Sequence, residues 1–426
     1  MLFRFSQTTY QQTMKQTTPA IHIIGGGISG LIAATVLEQY GLRPTIIEAS
    51  DSLGGRVKTD SIMGYNLDHG FQVLLTAYPA AKKYLDFDAL ALQEFLPGSA
   101  IFKNGRQKII GDPSRNLSLL LPTLLSGIGT VNDKLKILAL NKRLKKKSIQ
   151  KIFAEKEQTT LSYLKYLGFS SAIITDFFTP FFSGIFLENK LETSSRMFEF
   201  VYKMFGEGNA ALPKHGIEAI PKQLFEKLKT TTCILNTKVK SVENGSIKLE
   251  SGETIKSNFT IIATQASGLV SNLKNQTTLW KSCDTLYFEV SKREIKKPLI
   301  GLIAAPGALI NNIFYHTSLK TNTTSKKELL SVTVVNNQNL TNKELVTGVQ
   351  KELKELCNID SCTFIKQYNI PMALPNLKDI QYEMLPSETR LTETIFLAGD
   401  TQLNGSLNAA MIAGERAALE VIHLAS

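Results

Sequence analysis

The residues of this sequence best suited to chemistry are glycines close to the N-terminus. The stretch Gly-Gly-Gly-Ile-Ser-Gly, which begins at Gly25, matches the pattern G-x-G-x-x-G. Gly25 allows a tight turn, Gly27 lets a pyrophosphate approach the backbone, and Gly30 lets a helix pack closely on a strand. Ile28 and Ser29 would begin that helix, whose N-terminus stabilises phosphate charge. The pattern therefore predicts a dinucleotide-binding loop.

The elements that must position this loop follow from the apolar runs around it. Ile21–Ile24 is apolar and bounded by glycine, which is typical of a buried parallel strand. A helix is predicted after the loop, up to Gly41, followed by a second strand over Pro44–Ile47. That strand ends at Glu48, 18 residues after Gly30, where a carboxylate can accept hydrogen bonds from ribose hydroxyls. The alternatives at this point are NAD, FAD, or a β-α-β unit that binds nothing.

Composition excludes several classes of protein. The chain has 426 residues, 43% of them hydrophobic and 20% charged, so it is neither disordered nor fibrous. Its four cysteines lack the spacing of a zinc site, and we assign no metal. The net charge of +11 is local, because eight basic residues and no acid lie between Lys134 and Lys151. The rest of the chain is close to neutral.

The longest apolar run, 117–127, contains Pro122 and falls short of the roughly 18–20 residues of a membrane span. Residues 1–19 have no apolar signal core and are predicted to be a disordered leader. We expect a cytoplasmic protein with a peripheral contact, through 117–151, to the inner face of a membrane. A solvated helix face is the alternative. No nucleic acid partner is expected, because Leu135–Lys151 has no aromatic residue to stack on bases.

A second glycine pair follows the acid. Gly54-Gly55-Arg56, taken with the fingerprint, resembles the FAD-dependent amine oxidase, phytoene desaturase and protoporphyrinogen oxidase superfamily. In that superfamily these glycines let the chain pass close to the cofactor, and the arginine lies near the pyrophosphate and the flavin. The resemblance therefore implies FAD, with Ala49 beside the acid among its contacts.

The C-terminal part of the chain carries the same resemblance. An apolar strand is predicted over 394–398, followed by Gly399, Asp400 and a helix of small residues that begins at Leu407. In the superfamily the matching aspartate binds the ribityl or pyrophosphate portion, and the helix N-terminus faces the flavin. Val239, on a strand predicted over 234–242, would meet the adenine. No cysteine follows position 362, which excludes a C-terminal covalent link, so the FAD is expected to be non-covalent.

The resemblance implies an α/β fold. A discontinuous Rossmann-type FAD-binding domain would be interleaved with an α+β substrate domain. The FAD-binding domain is predicted over 20–78, 212–272 and 386–426, and the substrate domain over 79–211 and 273–385. The first insert should be mostly helical. The second should hold several strands and a helix opened by a capping-box pattern at Thr341.

The segment 65–79 resembles the carotenoid (phytoene-type) desaturase branch. It implies removal of hydride from a carbon of an apolar, isoprenoid-like small molecule to flavin N5, with dioxygen or a quinone as the electron acceptor. His69 is the one catalytic candidate, against the alternative of a structural histidine. The phenylalanine-rich run 176–186 is either a wall of the substrate tunnel or ordinary core.

Two other functions stay open. One is a flavin amine oxidase or a protoporphyrinogen-type oxidase. Against the amine oxidase, Ser406 is small and polar where many such enzymes place an aromatic residue, and Lys281 is two residues from the expected lysine position. The other is a non-catalytic binding protein that keeps the flavin fold.

Overall fold

The computed structural model of the protein describes residues 19–273, 276–321 and 323–426, so all of the predicted leader except residue 19 lies outside the described residues. Twenty strands occur in these ranges. The first ten are β1 Ile21–Ile24, β2 Thr45–Ile47, β3 Thr59–Ile62, β4 Tyr65–Asp68, β5 Leu74–Leu75, β6 Gln93–Glu94, β7 Gly98–Lys103, β8 Arg106–Gly111, β9 Ala210–Leu212 and β10 Thr232–Ile234. The others are β11 Val239–Glu243, β12 Ser246–Leu249, β13 Thr254–Lys256, β14 Phe259–Ile262, β15 Trp280–Val290, β16 Ile300–Ile303, β17 Ile310–Tyr315, β18 Glu328–Val334, β19 Cys362–Pro375 and β20 Ile395–Leu397.

Twelve α-helices occur in the same ranges. They are α1 Ile28–Gln39, α2 Pro79–Tyr84, α3 Leu120–Leu125, α4 Val131–Lys146, α5 Ile149–Phe153, α6 Thr160–Tyr166, α7 Ser171–Ile173, α8 Thr179–Phe186, α9 Ser195–Glu207, α10 Ala219–Glu226, α11 Asn342–Cys357 and α12 Leu407–Ala425. None of the helices in the described ranges has both the length and the apolar character that crossing a bilayer requires.

The dinucleotide loop leaves the central strand of a five-stranded parallel sheet. The strand order is β10-β2-β1-β14-β20, and every neighbouring pair is parallel. The strands therefore come from three distant parts of the chain, and their carboxyl ends lie at one edge. Helix α1 joins β1 to β2 and packs against α12, as the predicted strand, helix and strand require.

One predicted strand is wrong. The run 234–242 is not continuous, because β10 ends at Ile234 and β11 begins at Val239 in a separate antiparallel sheet, β11-β12-β13. Between them, Asn236 takes a left-handed backbone conformation with φ of 53°. The backbone N–H of Asn236 donates to the Ser50 carbonyl and that of Thr237 to the Glu48 carbonyl, both at 2.9 Å. The chain turns there to fasten the loop that follows β2.

Strands from both predicted inserts form one seven-stranded sheet, in the order β19-β15-β18-β17-β16-β7-β8. It is antiparallel except where β16 pairs with β7. Helix α11 covers one face and buries Leu345, Val349 and Leu353 there. The predicted capping box is confirmed, because Thr341 and Glu344 exchange hydrogen bonds at the start of α11. The first insert is mostly helical, as expected, but its hairpin β7–β8 belongs to this sheet.

The phenylalanine-rich run lies at the junction of a π-helical turn, Ile174–Phe178, with α8. Phe178, Phe182 and Phe186 are fully buried, and the first two pack on Phe198 of α9. These three residues are core, as one of the two alternatives held. Their neighbours Phe177 and Phe181 are only half-buried.

Candidate cofactor-binding site

Two glycine loops lie side by side at the carboxyl edge of the parallel sheet. The Gly54 N–H donates to the Gly26 carbonyl at 2.9 Å, and Gly27 pairs with Gly54 in a parallel bridge. A Cβ added at Gly55, where φ is 61°, would lie 3.2 Å from the Gly27 Cα. The backbones can approach this closely only because neither carries a side chain. The double glycine predicted as a second cofactor element thus packs directly on the fingerprint loop.

The N-terminus of α1 is open to a ligand. Gly27 is the N-cap, and no side chain caps the helix and no acidic residue occupies its first turn. A Cβ added at Gly27 would meet only the Gly55 Cα, at 3.9 Å, whereas one added at Gly30 would lie 2.1 Å from the Gly25 carbonyl oxygen. The N–H groups of the first turn, with open space above Gly27, fit the pyrophosphate of a dinucleotide.

Ser29 and Gly30 also determine how α1 packs. A Cβ added at Gly414 of α12 would lie 2.2 Å from the Ser29 carbonyl oxygen and 3.1 Å from its Oγ. The Ser29 hydroxyl therefore faces α12, and Ser29 offers a ligand its backbone N–H. Ile28 is buried in the core beneath the loop.

Glu48 holds the fingerprint loop from the end of β2. Its Oε2 accepts from the Gly26 N–H at 2.7 Å, and its Oε1 accepts from the N–H and the hydroxyl of Ser50, at 2.8 and 2.7 Å. The carboxylate is half-buried, and Ala49 beside it is exposed. Each carboxylate oxygen can accept a further hydrogen bond, so Glu48 can fix the loop and still bind a ribose hydroxyl.

Arg56 and Asp400 join the two predicted cofactor segments. The Arg56 Nη2 lies 2.6 Å from the Asp400 Oδ1. Gly399, with φ of 114°, turns the chain after β20 so that Asp400 is buried at the sheet edge. The Arg56 guanidinium also lies over the Trp280 ring, 5.1 Å from its centroid. Trp280 was missed in the sequence, although it is the chain's single tryptophan and begins the strand that carries Lys281.

Leu407 and Val239 lie at the margins of this arrangement. Helix α12 begins at Leu407, which is half-buried, and the Ser406 hydroxyl caps it by accepting from the Ala409 N–H at 3.0 Å. The next residue, Asn408, is fully buried and accepts from the Ala80 N–H at 3.0 Å. Val239 is buried at the start of β11. Ser406 therefore has a structural task in the helix.

His69 belongs to a hydrogen-bonded cluster. Its Nε2 lies 3.0 Å from the Asp60 Oδ1, and its ring stacks on Tyr368 with centroids 4.3 Å apart. The Tyr368 hydroxyl donates to the Asp60 Oδ2 at 2.6 Å. Burial raises the pKa of Asp60, but the hydrogen bonds from Tyr368 and His69 outweigh burial and bring that pKa below its ordinary value. This geometry favours the structural role of His69.

Gln72 connects the histidine segment to the cofactor loops, a contact that the sequence did not reveal. Its Nε2 donates to the carbonyls of Arg56 and His69, both at 2.9 Å. Asp68, just before His69, is buried and accepts from Thr59 Oγ1 at 2.6 Å and from the Ile217 N–H at 2.9 Å. Burial raises the pKa of Asp68 to about 6 despite these hydrogen bonds.

An aromatic cluster adjoins Gln72. The Phe71 ring lies 5.4 Å from that of Phe314, which stacks on Phe95 at 4.4 Å. His316 meets the edges of Phe71 and Phe314, and its Nε2 lies 3.0 Å from the Ser331 Oγ. Burial lowers the pKa of His316 to about 4, so the imidazole is neutral at pH 7. The cluster, defined as Phe71, Phe95, Phe314 and His316, is uncharged.

Lys281 is engaged away from the arginine pair. Its Nζ donates to the Phe186 carbonyl at 3.0 Å and to the Thr193 Oγ1 at 3.1 Å. Burial lowers its pKa. Lys281 thus fastens the end of α8 to the strand that begins with Trp280.

The glycine loops, the open helix N-terminus, Glu48 and the Arg56–Asp400 pair agree with one family. A sequence model of flavin containing amine oxidoreductases matches residues 28–422. The chain belongs to this family. Membership confirms the superfamily and the oxidoreductase class predicted from the sequence, and it implies a flavin cofactor.

Individual relatives match shorter stretches. Polyamine oxidase 5 of Oryza sativa subsp. japonica is 46% identical over 52 residues, which are 12% of this chain and 11% of that protein. Hydroxysqualene dehydroxylase of Zymomonas mobilis is 42% identical over 66 residues, 15% of this chain and 16% of that protein. The chain thus aligns with less than one fifth of the length of either relative.

The fold is similar over the whole chain. The crystal structure of cyclohexylamine oxidase from Brevibacterium oxydans superposes with a TM-score of 0.70, covering 96% of this chain and 99% of that one at 14% identity. This likeness establishes the fold: a Rossmann-type FAD-binding unit combined with a mixed α/β substrate unit. The desaturase branch stays a prediction.

Proposed function

We propose that this protein is an FAD-dependent oxidoreductase that dehydrogenates an apolar, isoprenoid-like small molecule, with the FAD bound non-covalently. When bound, FAD supplies an acceptor for hydride at N5. The chain supplies binding, orientation and exclusion of water, through the glycine loops, Glu48 and the Arg56–Asp400 pair. Dioxygen or a quinone is the proposed electron acceptor.

The observation that carries the proposed substrate class is the position of the uncharged aromatic cluster. Phe71 precedes Gln72, whose side chain is bonded to the Arg56 carbonyl, so the cluster adjoins the cofactor loops. An amine substrate would need an anionic or strongly polar partner for its ammonium group, whereas the rings and the neutral His316 present an apolar surface. The likeness of the chain to hydroxysqualene dehydroxylase, a protein whose name denotes an isoprenoid-derived substrate, also supports this class.

The likeness to polyamine oxidase 5 supports the second candidate, an amine oxidase. Against it stand Ser406, which caps a helix, and Lys281, whose ammonium group is bound by the end of α8 and by Thr193. The amine oxidase is therefore the alternative outcome of the test, together with a porphyrinogen oxidase.

The test begins with the purified protein. We expect a flavin spectrum, and we expect acid precipitation to release FAD into the supernatant, since the binding is non-covalent. Anaerobic mixing with a squalene-type or carotene-type substrate in detergent should bleach the flavin, and spermidine or a porphyrinogen should not. Bleaching by spermidine alone would establish the amine oxidase. A bound flavin that none of the three reduces would favour the non-catalytic alternative.

A variant locates the substrate. Phe71→Leu should raise the KM for the apolar substrate several-fold, about the loss of one aromatic contact, and leave flavin content unchanged. Phe364→Leu is the matched control, because Phe364 lies on the outer edge strand β19 and is exposed. Equal effects of the two substitutions would remove the aromatic cluster from the substrate site.

A further inference from the structure

The largest exposed apolar surface lies on α3, the turn before it and the first half of α4. Its members are leucines and one valine with 46–82% of their surface exposed: Leu117, Leu120, Leu121, Leu124, Leu125, Val131, Leu135 and Leu138. We call this set the leucine face. Contiguous apolar patches of this kind are uncommon on soluble monomers and indicate contact with a partner or a membrane.

The leucine face is not unused core. On the opposite side of the same segment Leu119, Leu140 and Leu144 are fully buried, so each helix already contributes an inner face. Thr123 exchanges hydrogen bonds with Gly111, which fixes α3 on β8. The exposed side chains therefore point outward from helices that are already packed.

The two helices form one surface. The Lys134 Nζ donates to the Leu124 carbonyl at 3.2 Å, which ties the first turn of α4 to the end of α3. Val131, Leu135 and Leu138 follow one another at spacings of four and three residues, and so lie along one side of α4. The apolar stripe of α4 therefore continues the exposed leucines of α3.

The structure divides the basic stretch into two sets. Arg143 and Lys147 turn inward, where their side chains lie 3.3 and 2.5 Å from the buried Glu199 carboxylate. Lys142, Lys145 and Lys146 are exposed on the second half of α4, and in the described part of the chain they form no ion pair.

The surface is also free of opposing charge. The one acidic residue in the sequence 117–151 is Asp133, which is buried and bonded to Thr130 and Ser170. The exposed side of α4 is therefore apolar along its first half and cationic along its second.

We infer that the leucine face, together with Lys142, Lys145 and Lys146, binds the surface of an anionic lipid bilayer. Leucine side chains enter the boundary between headgroups and acyl chains, while the lysines remain among the anionic headgroups. Charge complementarity selects this occupant, because an apolar face on a protein partner would leave three unpaired lysines at its margin. The inference is independent of the proposed function, since binding to vesicles requires neither flavin nor substrate.

The test is co-sedimentation of the full chain with vesicles. Phosphatidylcholine vesicles that contain roughly one third phosphatidylglycerol should bind the protein, and pure phosphatidylcholine vesicles should bind it much less. Binding should weaken as salt is raised, since exposed charges are screened. No binding to either vesicle, or equal binding to both, would overturn the inference. Self-association through this face, seen in sedimentation velocity without any vesicle binding, would identify a protein partner instead.

Matched variants attribute the binding. Replacing Lys142, Lys145 and Lys146 with Gln should weaken binding about a hundredfold, and the control Lys240→Gln, Lys248→Gln, Lys256→Gln, on the distant sheet β11-β12-β13, should not. Leu125→Ser should weaken binding about tenfold, and Leu385→Ser, at an equally exposed leucine, should have no effect. Unchanged melting curves would show that these variants fold. Equal losses in variants and controls would contradict the inference.

Discussion

The Arg56 guanidinium lies 2.6 Å from the Asp400 carboxylate, although 344 positions separate the two residues in the chain. Asp400 is buried, whereas Arg56 is 43% exposed and lies over the Trp280 ring. The pair therefore joins the loop after the second glycine pair to the turn after β20. A ligand that spans both segments should bind only where this ion pair is intact.

Asp400→Asn should weaken FAD binding about tenfold, because it removes a charge-assisted hydrogen bond from Arg56 and leaves the guanidinium without its buried partner. The measurement is titration of apoprotein with FAD, followed by quenching of flavin fluorescence. Asp51→Asn is the control, since Asp51 is exposed on the same side of the sheet. If both variants bound FAD as tightly as the unmodified protein, the ion pair would have no part in the site.

Gly27→Ala and Gly30→Ala should fail in different ways. A methyl group at Gly27 enters open space and should abolish flavin retention while the melting temperature of the apoprotein stays the same. A methyl group at Gly30 would lie 2.1 Å from the Gly25 carbonyl oxygen and should destabilise the fold itself. Flavin absorbance and circular dichroism melts of the two apoproteins separate these outcomes. A Gly27→Ala protein that retains its flavin would contradict the assignment of the pyrophosphate site.

Asp68 should make stability depend on pH in the direction opposite to a salt-bridged carboxylate. Its folded-state pKa of about 6 exceeds the ordinary value of 3.8, so the folded state binds more protons than the unfolded state between these values. The stabilisation is complete below pH 3.8 and is lost as pH rises through 6.

The measurement is urea unfolding at several pH values. Between pH 4 and 7 the free energy of unfolding should fall by about 3 kcal/mol relative to Asp68→Asn, the equivalent of two pKa units. The Asn side chain can still accept from Thr59 and from the Ile217 N–H. Parallel pH profiles for the two proteins would show that Asp68 titrates normally.

Lys281→Met should leave the rate at which dioxygen reoxidises the reduced flavin unchanged. The Lys281 ammonium group is bound to the Phe186 carbonyl and the Thr193 hydroxyl, so its loss should lower the melting temperature and not the rate. Stopped-flow absorbance after photoreduction measures this rate. Lys82→Met, on the exposed side of α2, serves as the control for stability. A slower reoxidation in Lys281→Met alone would favour the amine oxidase.

The cofactor loops were predictable because their constraints are local. Gly25, Gly27 and Gly30 have separate backbone tasks at fixed spacing, and an apolar strand before and after them determines the direction of the loop. The break at Asn236 was not predictable from the apolar pattern. That pattern reports burial, whereas the break depends on hydrogen bonds from Asn236 and Thr237 to a loop almost 190 residues earlier.

Long-range partners account for the other differences. The basic stretch looks uniform in sequence, and Glu199 on α9 divides it by drawing Arg143 and Lys147 inward. Trp280 carries no motif, yet the fold places it under Arg56. The hairpin β7–β8 joins strands nearly two hundred residues later, because the β16 edge pairs with β7. In each case the information lies in the tertiary arrangement.

The strand order β10-β2-β1-β14-β20 has a consequence for synthesis in the cell. The central strand β1 is made among the first residues, but its neighbour β14 and the sheet edge β20 are made more than 230 and 370 residues later. A nascent chain therefore carries β1, β2 and α1 with one apolar side uncovered for most of translation, when such segments are prone to aggregate. We expect chaperone dependence during translation and flavin loading only after the last helix has emerged.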